Sequence, residues 1–146
     1  MNILMIYPHY PDSFWSFKHA LKFISKKAAV PPLGLITVSA MFPESWHKKL
    51  VDLNVSKLKT QDIQWADYVL ISAMNIQRES VENIIAACVK QNTKIIAGGP
   101  MFTQEYNNYP QIDHFILNEA EITFPVFLED LRKNKLKRIY KTSQYP

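Results

Sequence analysis

At 146 residues, with 47% apolar and 21% charged side chains, the chain fits one ordinary globular domain able to bury about two-thirds of its unfolded surface. No apolar run nears the ~20 residues that span a bilayer. The opening Met1-Asn2-Ile3-Leu4-Met5-Ile6 lacks the basic stretch and cleavage site of a signal peptide, so a cytoplasmic protein is expected. The single cysteine, Cys88, excludes an internal disulfide and an iron–sulfur cluster held by this chain alone.

Ile3 to Tyr7 is a continuous apolar run stopped by Pro8, the pattern of a strand buried on both faces. The connection that follows, Pro8 to Pro31, is far longer than the roughly 2–6 residues usual in α/β units. It carries Phe14, Trp15, Phe17 and Phe23, with a short helix expected over Phe17 to Ile24. It reads equally as a ligand loop or as a packing insertion. A helix is expected from Pro32 to Phe42, with proline suited to the first position. Leu50 to Val55, shorter and more polar, suits an edge strand, and Asp67 to Ser72 a central one. Val81, Ile84, Ile85 and Cys88 fall on one helix face, where a free cysteine packs as a small hydrophobe. Lys94 to Ala97 forms a strand ending at Gly98-Gly99-Pro100, and His114 to Leu117 supplies the fifth. Phe124, Phe127, Leu128 and Leu131 mark the last helix.

Strand and helix in alternation imply parallel strands joined by right-handed crossovers. The expected fold is therefore an α/β, flavodoxin-like (Rossmann-like), doubly wound five-stranded sheet of order 2-1-3-4-5. Ligands in such sheets lie outside the carboxyl ends of the strands. Five segments converge there: Pro8 to Phe14, Asp52 to Ser56, Ser72 to Gln77, Gly98 to Thr103 and Asn118 to Thr123. Two of the three glycines, Gly98 and Gly99, stand at that edge, where a missing Cβ allows close approach or merely a turn. Ser72 either offers a hydroxyl to a ligand or caps the next helix.

Taken together these segments resemble a known family. Ile3-Leu4-Met5-Ile6-Tyr7-Pro8, Pro31-Pro32-Leu33-Gly34-Leu35, Ala66 to Met74, Ile95 to Pro100 and Asn118-Glu119-Ala120-Glu121 occur in its order and spacing over nearly the whole chain. The family is the cobalamin (vitamin B12)-binding domain that precedes the core of radical S-adenosylmethionine enzymes. The resemblance implies a corrin ring over the strand ends and a nucleotide tail between the sheet and a helix. The candidate cofactor-contacting residues are Tyr7, Pro8 and His9; Asp52 and Asn54; Ser72, Ala73 and Met74; Gly98, Gly99 and Pro100; and Glu119. Ser72 would meet the tail's base, Gly98 and Gly99 would leave room for it, and Glu119 and Glu121 would bound the pocket and cap the last helix.

Two departures stand out. The Asp-x-His-x-x-Gly loop whose histidine ligates cobalt in cobalamin mutases is absent, although His9 occupies the loop after strand one. Asn118 stands where the family usually has glycine, and asparagine tolerates positive φ. The family's catalytic half opens with a Cys-x-x-x-Cys-x-x-Cys motif for the iron–sulfur cluster and S-adenosylmethionine, and no such motif occurs here. Residues 1–132 are thus expected to form the cobalamin-binding domain, and 133–146 a linker towards a radical core that this sequence lacks. No catalytic pair or metal cluster emerges, and a non-catalytic role, as a module of a methyltransferase or cyclase, is expected.

Other classes fit less well. The net charge of +4 gathers at Lys18, Lys22, Lys26 and Lys27 and at Lys133, Lys135, Lys137, Arg138 and Lys141. Without a nucleic-acid-binding motif this reads as solvated faces. A receiver-type signalling domain needs an acidic cluster, a phosphorylatable Asp and a Lys where this chain has Pro8-His9-Tyr10, Ser72-Ala73-Met74 and Asn118-Glu119. A nucleotide enzyme needs a glycine-rich phosphate loop, and neither pattern occurs; a flavin in the same crevice stays open.

Overall fold

The apolar strand runs expected from the sequence lie at the centre of a six-stranded parallel sheet, order β2-β1-β3-β4-β5-β6. The computed structural model describes residues 1–11 and 31–144. Its strands are β1 (Asn2–Tyr7), β2 (His47–Asp52), β3 (Tyr68–Ser72), β4 (Lys94–Gly98), β5 (His114–Leu117) and β6 (Ile139–Lys141). The crossing helices are α1 (Leu33–Met41), α2 (Thr60–Trp65), α3 (Arg78–Lys90), α4 (Pro100–Glu105) and α5 (Ala120–Arg132). This is the flavodoxin-like doubly wound arrangement with one strand more than expected. The short helix over Phe17 to Ile24, and the aromatic side chains around it, lie outside the described residues.

Strands buried on both faces serve two cores at once. Leu4, Ile6, Val69, Ile71, Ala97 and Phe115 pack with Ile63 of α2, Val81, Ile84, Ile85 and Cys88 of α3, and Met101 and Phe102 of α4. On the other face Ile3, Met5, Tyr7, Leu70, Ile96 and Ile116 meet Leu35 of α1 and Phe124 and Phe127 of α5. The alternation of strand side chains fixes which residue reaches which layer. Beneath the second layer, Phe124 stands edge-on to Phe42, ring centroids 4.9 Å apart.

Three differences from the sequence reading have local causes. The second strand starts at His47 and stops at Asp52, because Asp52 turns the chain by accepting the backbone N–H of Asn54 at 2.8 Å. Pro100 opens α4 rather than merely ending a strand, since a proline costs nothing at a first helical position. The segment 133–146, expected as a linker, contributes β6. Tyr140 is its buried side chain, stacked edge-on against Phe127 and bonded through its hydroxyl to Asp130 at 3.1 Å. His114, at the start of β5, sits 2.7 Å from the Lys137 carbonyl through Nδ1. A carbonyl only accepts, so that nitrogen carries the proton and the imidazole is a tie between β5 and the approach to β6. The late lysines are partly occupied locally: Lys133 pairs with Glu129 and Lys137 with Asp130, while the Arg138 guanidinium lies over the Phe115 ring.

Cys88 is fully buried on α3, and burial pushes its thiol up to about 12. The thiolate is the reactive form. The folded protein should therefore ignore a maleimide or disulfide reagent at pH 8 for hours and react stoichiometrically once unfolded in urea. Rapid labelling without denaturant would contradict this packing.

Candidate functional site

A parallel sheet brings all its carboxyl ends to one edge, and here that edge opens into a cleft of about 240 Å³ between α1 and α5. Ser72, Gly98 and Ile116 lie side by side in register on its floor. Gly34, Leu35, Thr37 and Val38 of α1 form one wall; Asn118, Glu119, Ala120, Glu121 and Phe124, running into α5, form the other. The walls stay apart because small residues face each other across the mouth. Among the described residues a Cβ built on Gly34 would reach only the Ser72 hydroxyl, at 3.7 Å, so glycine leaves a space that none of them fills. The Ser72 hydroxyl makes no hydrogen bond among the described residues. The turn after β3 is capped without it, and Ser72 lines the cleft instead of serving as the cap.

The adjacent glycines are also required by the backbone around them. Gly98 lies beneath the backbone of β5, where an added Cβ would sit 2.9 Å from the Ile116 carbonyl oxygen. Gly99 has φ 92° and ψ 173°, a conformation almost confined to glycine. It lets the backbone fold against Ala73, whose carbonyl accepts from Met101 N–H at 3.1 Å. These two residues hold the sheet edge and the start of α4 in place while their backbone lines the cleft. Asn118 adopts φ 65° at the equivalent turn after β5, as its side chain type permits. Its amide donates to the Thr142 carbonyl beyond β6, fixing the lip of the cleft. Glu119 occupies the cap position of α5 but makes no side-chain cap bond; its carbonyl accepts from Thr123 instead.

The other sequence-predicted residues gather at the neighbouring rim over β1, β2 and β3 without lining the cleft. There the polar groups serve each other. The Pro8 carbonyl accepts from Gln77 Nε2 at 2.6 Å and Asn54 Nδ2 at 3.3 Å, while Asn54 Oδ1 accepts the Tyr10 N–H at 2.9 Å. Gln77, buried, also accepts the Met74 N–H through Oε1. His9 gives its backbone N–H to Ser80 Oγ, and Asp52 is taken up by Asn54. Tyr7 and Tyr10 join hydroxyls at 2.9 Å; burial, then the Tyr10 hydroxyl, holds the Tyr7 phenol well above the ordinary tyrosine range. Met74, half exposed, stands beside Tyr10. Among the described residues no group of three or more His, Cys, Asp or Glu is placed to hold a metal ion.

Residues 23–128, more than half of the chain, match the family described as the B12 binding domain. The chain belongs to that family. The B12-binding domain fold accounts for the position of the cleft, and cobalamin is the cofactor it implies. The residues present fit one limb of such a cofactor: a slot walled by small and apolar side chains with an unengaged hydroxyl on its floor. At about 240 Å³ the cleft is smaller than the ~300–1,000 Å³ that holds a whole drug-sized ligand. Among curated proteins, the B12-binding domain is 40% identical over its whole length to an uncharacterized methyltransferase of Synechocystis sp., covering 28% of that protein. It is 32% identical, over 81% of its length, to the hopanoid C-2 methylase of Rhodopseudomonas palustris, covering 23% of it. The chain thus spans about a quarter of the length of the curated relatives it matches.

The sequence reading reached the sheet side of this cleft and the start of α5 at Glu119 and Glu121, and missed the α1 wall. Gly34 was the available signal: glycine in a helix sacrifices stability and needs a reason. Val38, Leu70, Ile116 and Phe124 carry no such mark, being indistinguishable by type from core residues. No helix among the described residues is long and apolar enough to cross a membrane.

Proposed function

We propose that this domain carries cobalamin for a methyl-transferring radical S-adenosylmethionine enzyme in the cytoplasm, with the nucleotide tail in the cleft and the corrin over the rim of strand ends. The observation that carries the proposal is the cleft between α1 and α5, where Gly34 leaves space over the Ser72 hydroxyl, which makes no hydrogen bond among the described residues. The names of the two relatives, a methyltransferase and a methylase, support the reaction class. Cobalamin, when bound, would supply methyl-transfer chemistry at its cobalt. The protein's own residues bind and orient. Ser72 donates a hydrogen bond to the base, Leu35, Val38 and Phe124 enclose it, and Tyr7, Tyr10 and Met74 form the surface under the macrocycle. His9 stands at that rim, held by its backbone N–H to Ser80 Oγ.

The lining of the cleft also argues against a flavin. Among the described residues Glu119 and Glu121 flank its mouth and none of the lining side chains is Lys, Arg or His, a poor setting for a terminal phosphate carrying nearly two negative charges. Titration of the chain with hydroxocobalamin should shift the corrinoid's visible absorption bands and saturate at one equivalent. Flavin mononucleotide at the same concentration should leave its own spectrum unchanged. An unaltered cobalamin spectrum at tens of micromolar, or saturable flavin binding, would overturn the reading.

A further inference from the structure

Asn118 belongs to the cleft and to the sheet edge at once. Leu117 is the last residue of β5 in register with β6, opposite Lys141. One step on, the chain turns at Asn118, with φ 65°, and leaves the sheet for α5. The Asn118 side-chain amide carries the link one residue further, donating to the carbonyl of Thr142. Its backbone N–H meets Thr103 Oγ1 of α4 at 3.3 Å. The residue is thus held from both sides while it stands at the head of the cleft wall that runs to Phe124. Glycine would make the same turn with no amide to give. Asparagine adds a tie to β6 that the turn itself does not require.

β6 is three residues long, burying Tyr140 and leaving Ile139 and Lys141 exposed. Beyond the ladder, its other ties among the described residues lie at its amino end and at Tyr140. Phe115 N–H donates to the Arg138 carbonyl at 2.7 Å, His114 to that of Lys137, and the Tyr140 hydroxyl accepts the Lys137 N–H at 2.8 Å. Segments with so little buried surface open at a free energy well below that of the whole fold. With β6 open, Asn118 keeps a left-handed turn without the bond that pins it, and a ligand has to order that lip on arrival. With β6 docked, the lip is ordered already.

We propose that β6 and a ligand in the cleft stabilise each other through Asn118, the strand seating more firmly when the cleft is filled. The proposal rests on the cleft being the ligand site, as read above. Linkage makes the effect reciprocal: the factor by which docked β6 raises ligand affinity is the factor by which the ligand favours docking of β6. Such couplings amount to roughly fivefold or more.

Hydrogen exchange read by mass spectrometry on the full chain, with and without saturating hydroxocobalamin, tests this. The peptide spanning 139–144 should exchange about fivefold or more slowly with cobalamin present. Helix α2, which is also peripheral but lines no part of the cleft, should be unaffected. Asn118→Gly keeps the turn and removes the amide, so β6 should exchange faster in the free protein and lose its protection by cobalamin. Protection that survives this substitution would mean direct contact between ligand and strand, and would overturn the proposal. Tyr140→Ala unseats β6 from a position outside the cleft lining. It should weaken cobalamin binding about fivefold or more, with the urea midpoint confirming that the variant folds. Unchanged affinity despite faster exchange at β6 would overturn the proposal too. So would an unprotected β6 in the unaltered chain when the corrinoid bands do shift, whereas bands that never shift would remove the cobalamin reading itself.

Discussion

Gly99→Ala should cost the fold about 3 kcal/mol or more, lowering the urea midpoint by about 1–2 M. Two independent penalties act at this one position. The backbone sits at φ 92° and ψ 173°, where an L side chain is strained whatever the space around it. The added Cβ would also lie 2.9 Å from the Ala73 amide nitrogen, 2.9 Å from the Ala73 carbonyl oxygen and 2.9 Å from Ser72 Oγ. Two of those are backbone atoms of the end of β3 and cannot swing aside as a side chain tip can. Relief requires the start of α4 to move away from β3, breaking the bond from Met101 N–H to the Ala73 carbonyl. Equilibrium denaturation of the variant beside the parent checks this, and an unchanged midpoint would show that the turn relaxes freely.

Gly34→Leu should do the opposite, leaving the fold intact and removing the ligand. Gly34 is the second residue of α1 and has no need of glycine's conformational freedom, since the positive φ among the glycines is confined to Gly99. Any other residue there favours the helix by up to about 1 kcal/mol. Among the described residues a Cβ meets nothing closer than Ser72 Oγ at 3.7 Å, so a leucine side chain has room to turn into the cleft. The expected result is a urea midpoint unchanged or raised and a cobalamin affinity reduced by tenfold or more, from about 1–3 kcal/mol of steric conflict. Full-strength cobalamin binding by this variant would move the tail to some other part of the surface. With Gly99→Ala, it separates the two uses of glycine at one edge, a turn in the one case and an empty volume in the other.

That contrast also explains what sequence inspection reaches and what it misses. Periodicity exposed β1, β3, β4, β5 and the buried faces of α3 and α5, because burial on both sides of a sheet forces unbroken apolar runs and burial on one side of a helix forces the 3.6 repeat. It missed α2 and α4, of six residues each, which are too short to show a period. It missed β6 because a three-residue edge strand buries one side chain, Tyr140, between exposed Ile139 and Lys141. The site divided along the same line. A rule about strand ends locates Ser72, Gly98, Gly99, Pro100 and Glu119 at the cleft. It also gathers Asp52, Asn54 and Pro8, whose polar atoms are engaged with one another at the rim. Polarity near a strand end does not tell a hydrogen bond to the protein from one available to a ligand; only the partner does.

The rim network has a thermodynamic consequence. Pro8, His9 and Tyr10 are each tied through the backbone, to Gln77 and Asn54, to Ser80 and to Asn54 respectively. Immobilising a free segment costs roughly 1–2 kcal/mol per residue. For these three residues that loss is incurred when the chain folds, so it does not recur when a ligand arrives. Severing the ties, for instance with Gln77→Ala, would transfer that entropy to the binding step. The association would then weaken through its entropy, with the contacts to the ligand itself unaltered.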